Sequence, residues 1–68
     1  MSEPHSSDRL LSHRQVLERI GLGRTWLRQA VLAGVFPRPT RVGGRRMFWS
    51  EREVADWVAA RLDERDAA

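Results

Sequence analysis

Apolar side chains recur along this chain at two different periods, and the points where the period changes divide it into elements. Val16, Leu17 and Ile20 share one face of a helix, and Leu27, Ala30 and Val31 share one face of another. Ahead of the first group, Ser12 can cap a helix, with Gln15 three residues on as its capping-box partner and Leu11 able to staple onto Val16. The spacing predicts a helix over about 13 to 20, ended by Gly21. A second helix is predicted over about 24 to 33, because Gly34 followed by Pro37 is a stop signal. Two short helices joined by a three-residue turn containing glycine form a helix-turn-helix pattern.

The period then changes from helical to two. Gly43-Gly44 between alternating residues predicts a tight hairpin, since primed two-residue turns need the positive φ that glycine adopts at little cost. With a two-residue loop, Val42 pairs with Arg45, Arg41 with Arg46 and Thr40 with Met47. That register puts Thr40, Val42, Met47 and Trp49 on a core face and Arg41, Arg46 and Phe48 on the other. Ser50-Glu51-Arg52-Glu53 repeats the capping-box signature, and Trp49 can staple onto Val54. Val54, Trp57, Val58 and Leu62 follow at helical spacing, which predicts a third helix over about 51 to 62. Too few apolar residues remain for packing in segments 1–8 and 63–68, so the expectation is a disordered leader, a domain over 9–62 and a flexible acidic tail.

Composition narrows the class. Sixty-eight residues hold one small domain, and a fold of this size buries only about 60% of its unfolded surface, so a few large side chains must carry the core. Trp49 and Trp57 are assigned there. With no cysteine, neither a disulfide framework nor a thiolate zinc site is available, and His5 and His13 have no companions at metal-ligand spacing. No apolar run approaches the roughly 18 residues of a membrane span, and the start MSEPHSSD lacks a signal peptide's apolar core. A cytoplasmic protein is the expectation.

Charge is distributed unevenly, which changes the picture more than its total of +3 does. Residues 9–49 carry nine arginines against one acid, Glu18, whereas residues 50–68 carry three arginines against six acids. Every basic residue is arginine, whose guanidinium suits bidentate contact with phosphates and guanine edges. Gly21-x-Gly23 lacks the third glycine of a dinucleotide fingerprint, and a chain without lysine cannot build a Walker A loop. The domain is too small to enclose a catalytic pocket. A non-enzyme with no cofactor, no metal and no small-molecule substrate is expected.

Helix, turn, helix, hairpin and helix together predict a mainly α fold with a small β-hairpin, a winged helix-turn-helix. The run from Leu10 to Leu62 also resembles the AlpA family of phage and prophage regulators, relatives of the small excisionases and of the winged MerR-type DNA-binding domains. The resemblance rests on Val16-Leu17-Glu18-Arg19-Ile20-Gly21-Leu22, Arg24-Thr25, Gly34-Val35-Phe36-Pro37-Arg38-Pro39, Val42-Gly43-Gly44-Arg45, Trp49 and the helix Ser50 to Trp57. It implies sequence-specific binding to double-stranded DNA, with the second helix in the major groove and the wing along the backbone or in the minor groove. Relative to the family, Gly23 stands where serine is usual, Trp26 where a small polar residue is usual on the DNA-facing surface, and Arg28 where an aromatic residue is common.

Candidate base-reading residues on the second helix are Arg24, Thr25, Trp26, Arg28 and Gln29, because arginine reads guanine and glutamine reads adenine through paired hydrogen bonds. Trp26 divides evenly between that role and core packing. In the wing, Arg41, Arg45 and Arg46 are candidates for phosphates or a narrow minor groove, with Arg14 and Arg38 as further phosphate contacts. Three roles fit: transcriptional regulator, excisionase bending attachment-site DNA beside an integrase, and protein-interaction adaptor using Trp26 and Leu32 as an apolar patch. Tandem copies on DNA are expected, since one small domain reads few base pairs.

Overall fold

The computed structural model describes residues 8–67, apart from the side chains of 66 and 67. Most of the expected leader, and Ala68, lie outside the described residues. In chain order the elements are β1 (Leu10–Ser12), α1 (His13–Ile20), α2 (Arg24–Ala33), β2 (Thr40–Val42), β3 (Arg46–Ser50) and α3 (Glu51–Ala67). The fold is a winged helix-turn-helix: α1 and α2 form the helical pair, β2 and β3 the wing, and α3 closes the core.

Local chemistry sets the ends of both short helices. Gln15 N–H donates to Ser12 Oγ at 3.2 Å and Ser12 N–H donates to Gln15 Oε1 at 2.8 Å, the two halves of a capping box. Leu11 and Val16, its staple, are both fully buried. Gly34 closes α2 at φ 78°, with its N–H donating to Val31 O and that of Val35 to Ala30 O, a Schellman arrangement. At the other end of α2, Gly23 offers no side-chain cap.

The sheet corrects the expected hairpin in two ways. It has three strands rather than two, in the order β1-β3-β2, with Leu11 paired to Trp49. The turn also holds three residues rather than two. Gly43 and Gly44 have positive φ (66° and 92°) as a primed turn requires, but Arg45 joins them, so Val42 pairs with Arg46, Arg41 with Met47 and Thr40 with Phe48. A one-residue slip moves a strand's side chains to opposite faces. Arg41 therefore shares the inner face of Met47 and Trp49, while Thr40, Val42, Arg46 and Phe48 share the outer face. Arg46 lies over the Phe48 ring at 5.4 Å.

α3 runs to Ala67, five residues beyond the expected end. Apolar packing does not carry this extension, because Leu62 is exposed. Ala59 to Arg65 are mostly strong helix formers, and Arg61 pairs with Glu64 at 2.6 Å across one turn. The start of α3 is capped more heavily than its sequence signature promised. Glu53 N–H donates to Ser50 Oγ, Arg52 N–H to Asp8 Oδ1 and Glu51 N–H to Arg9 O, while the Ser50 hydroxyl donates to Asp8 Oδ2. Asp8, assigned to the disordered leader, is instead a second N-terminal cap for α3.

Leu11, Val16, Leu27, Ala30, Phe36, Trp49 and Val54 form the buried core, with Leu17, Ile20, Trp26, Val31 and Trp57 packed around it. Full burial of a leucine or valine contributes about 1.5–3 kcal/mol each, so four completely buried aliphatics weigh heavily in a domain this small. The segment between α2 and β2 is tied down from two sides: Trp49 Nε1–H donates to Pro37 O at 2.9 Å and Trp57 Nε1–H to Val35 O at 2.8 Å. Phe36 is thereby held edge-on against Trp57, with ring centroids 4.9 Å apart. This anchoring fixes where the wing leaves α2.

Candidate nucleic-acid interface

α2 presents two chemically distinct sides. Leu27 and Ala30 are buried, and Trp26 is half-buried against Phe36 and Trp57 at centroid distances of 6.1 and 5.6 Å. Arg24, Thr25, Arg28 and Gln29 are exposed. Together with Leu32, Val31 and Leu27 they form one wall of an open concavity of about 860 Å³, whose other wall is His13, Pro39, Met47 and Trp49. Four of the five residues proposed for the second helix thus meet at one site.

Trp26 is not among those lining the concavity; of the two roles its sequence left open, its packing favours the core. An indole at this position buries more apolar area against Phe36 and Trp57 than it would by facing solvent. The two residues of the adaptor patch stand apart: Trp26 packs in the aromatic cluster, and Leu32 lines the concavity.

Electrostatics distinguish this concavity from three others on the molecule. Each of those includes carboxylates: Glu53 and Asp56 in one, Asp8 and Glu53 in the second, and Asp8, Glu51 and Asp56 in the third. Between α2 and the wing no acidic residue among the described ones lines the surface, while Arg24 and Arg28 do. The sheet register puts Arg41 on the same face as Met47, although Arg41 does not itself line the concavity. Other arginines of the basic segment are engaged elsewhere. Arg19 pairs with Glu51 at 2.8 Å, joining α1 to α3, Arg14 stands 3.7 Å from Glu18, and Arg38 lines two of the acidic concavities. The wing arginines do not form one group, since Arg41 is inward, Arg45 is in the turn and Arg46 is on the outer face.

Sequence reasoning missed His13, Pro39, Leu32 and Met47 as members of this surface. His13 heads α1 and tilts against the Trp49 ring at 5.8 Å, and no local signal joins it to a helix more than ten residues away. Leu32 had a signal of its own, as an apolar residue one turn beyond Arg28 on the polar stripe of α2.

A short helix with an exposed polar stripe, an arginine-bearing concavity and a glycine-tipped wing define a winged helix-turn-helix. The chain belongs to the AlpA family: the model of that family, described as Prophage CP4-57 regulatory protein (AlpA), matches residues 9–62. It is also similar to an uncharacterized protein, ORF88, of Enterobacteria phage P4, at 30% identity over 57 residues. That match covers 84% of this chain and 65% of the relative, so the chain spans slightly less than two thirds of the relative's length. No solved structure matches. Among the described residues no helix is long and apolar enough to cross a membrane, and no cluster of His, Asp or Glu could hold a metal ion.

Proposed function

We propose that this protein regulates transcription of a phage or mobile element by sequence-specific binding to double-stranded DNA, with α2 in the major groove. The observation that carries this reading is the concavity in which Arg24, Thr25, Arg28 and Gln29 meet on one exposed side of α2, with no carboxylate among the described residues that line it. A helix about 10–12 Å across with its side chains fits a major groove about 12 Å wide. Arginine and glutamine there form bidentate bonds to guanine and adenine, each worth about 1–3 kcal/mol of discrimination. Arg41 and Arg45 on the wing would reach the flanking phosphates, and Arg46 is reserved for the outer face.

Fluorescence anisotropy on a random-sequence duplex of about 20 base pairs, at two salt concentrations, tests the binding. Affinity that falls steeply with salt, and weakens further in Arg28→Ala, is the expected result. No binding even at low salt would overturn the reading. Footprinting on the element's own DNA then separates the roles. Protection over a promoter supports transcriptional control, and tandem sites beside an integrase core would replace it with excisionase activity.

A further inference from the structure

Leu32 is the most solvent-exposed large apolar side chain among the described residues, at 79%, and it lies in the proposed DNA-facing concavity rather than on an outer surface. Thr25, Arg28, Gln29 and Leu32 follow one another at i, i+3, i+4 and i+7, so they form a single stripe along α2. At 1.5 Å per residue the stripe is about 10 Å long, equal to about three base-pair steps of 3.4 Å. Met47, itself 39% exposed, and Pro39 face Leu32 from the wing side and extend the apolar part of the concavity. A ligand held along this stripe would bury Leu32, which favours an apolar group opposite it. The major-groove edge of DNA offers one such group, the C5-methyl of thymine.

We infer that Leu32 is a specificity residue that reads a thymine methyl in the major groove, within about two base pairs of the guanine or adenine read by Arg28 or Gln29. The inference rests on the DNA-binding reading and deepens it from a charge argument to a base preference. A second copy of the chain is the competing occupant for an exposed leucine. The arginines beside Leu32, with no carboxylate among the described residues that line the concavity, favour the polyanion.

Duplexes selected by the wild-type protein from a random library supply the probe. Each thymine is then replaced in turn by uracil, which removes the methyl and leaves the hydrogen-bonding edge unchanged. Burying one methyl is worth about 0.8 kcal/mol, so one replacement should weaken wild-type binding about fourfold. Leu32→Ala should bind the thymine and uracil duplexes equally. Because Leu32 is so exposed, that variant should fold, which its circular dichroism and melting curve will verify. Three results would each overturn the inference while leaving DNA binding intact: a selected site without a thymine in that window, no uracil replacement that matters, or the same uracil penalty in Leu32→Ala. Selection that yields no binding at all would instead remove the DNA reading, and this inference with it.

Discussion

Under the proposed DNA-binding role, the hairpin register makes a sharp claim about which wing arginine contacts the phosphates. Arg41 pairs with Met47 and so shares the concavity's face, while Arg46 pairs with Val42 on the outer face and stacks over Phe48 at 5.4 Å. With the two-residue loop read from the sequence, Arg41 and Arg46 would be cross-strand partners on one face, and their removal would have equal effects. The observed three-residue loop separates them. Each phosphate contact contributes about 0.9 to the slope of log affinity against log salt. Over a fourfold rise from 50 to 200 mM, losing one contact therefore changes the ratio of variant to wild-type affinity by about 3.5-fold. Arg41→Ala should show this loss of salt sensitivity, and Arg46→Ala should retain the wild-type slope. Both sites are exposed, so Arg41→Ala should leave stability within about 0.5 kcal/mol. Arg46→Ala should cost at most about 1 kcal/mol, from its contact with Phe48. Anisotropy titrations on one duplex at four or five salt concentrations read the slopes directly. Equal slope losses in the two variants, or a loss confined to Arg46→Ala, would refute the assignment of faces.

Two further outcomes test how the wing and α2 are held. Trp49→Phe keeps most of the buried ring but removes the donor to Pro37 O, leaving a half-buried carbonyl short of a partner; urea denaturation should show a loss of about 1–3 kcal/mol. Gly23→Ser should restore the side-chain cap that α2 lacks. The backbone there is extended at φ −85° and ψ 169°, and a Cβ meets nothing within 4 Å. A gain of a few tenths of a kcal/mol, equal to about 1–3 °C in Tm, is expected, and a lower Tm would contradict the capping account.

The parts of this fold legible in one dimension are those whose causes lie within four residues along the chain. Ser12 and Gln15 satisfy each other's backbone groups, and Gly21 and Gly34 adopt left-handed φ at helix ends, so both short helices begin and end where their sequence places them. The polar stripe of Arg24, Thr25, Arg28 and Gln29 follows from helical spacing alone, as does the burial of Leu27 and Ala30 on the reverse.

Tertiary structure decided whatever depends on partners distant in sequence. β1 is three residues with no period to detect, and it exists because Leu11 pairs with Trp49, 38 positions away. Both two- and three-residue loops are compatible with Gly-Gly-Arg. Trp49 is inward with either loop, so the phase of β3 and the outer face of Arg46 are the same in both; the third loop residue, Arg45, reverses β2 instead and carries Arg41 to the inner face. Trp26 was ambiguous until Phe36 and Trp57 supplied a surface for it, and Asp8 had no recognisable task until the fold brought the start of α3 beside it. The proposed DNA-facing concavity belongs to this second group. Helical spacing built one wall of it, but only the packing of α1 and the wing against α2 placed His13, Pro39 and Met47 opposite Leu32.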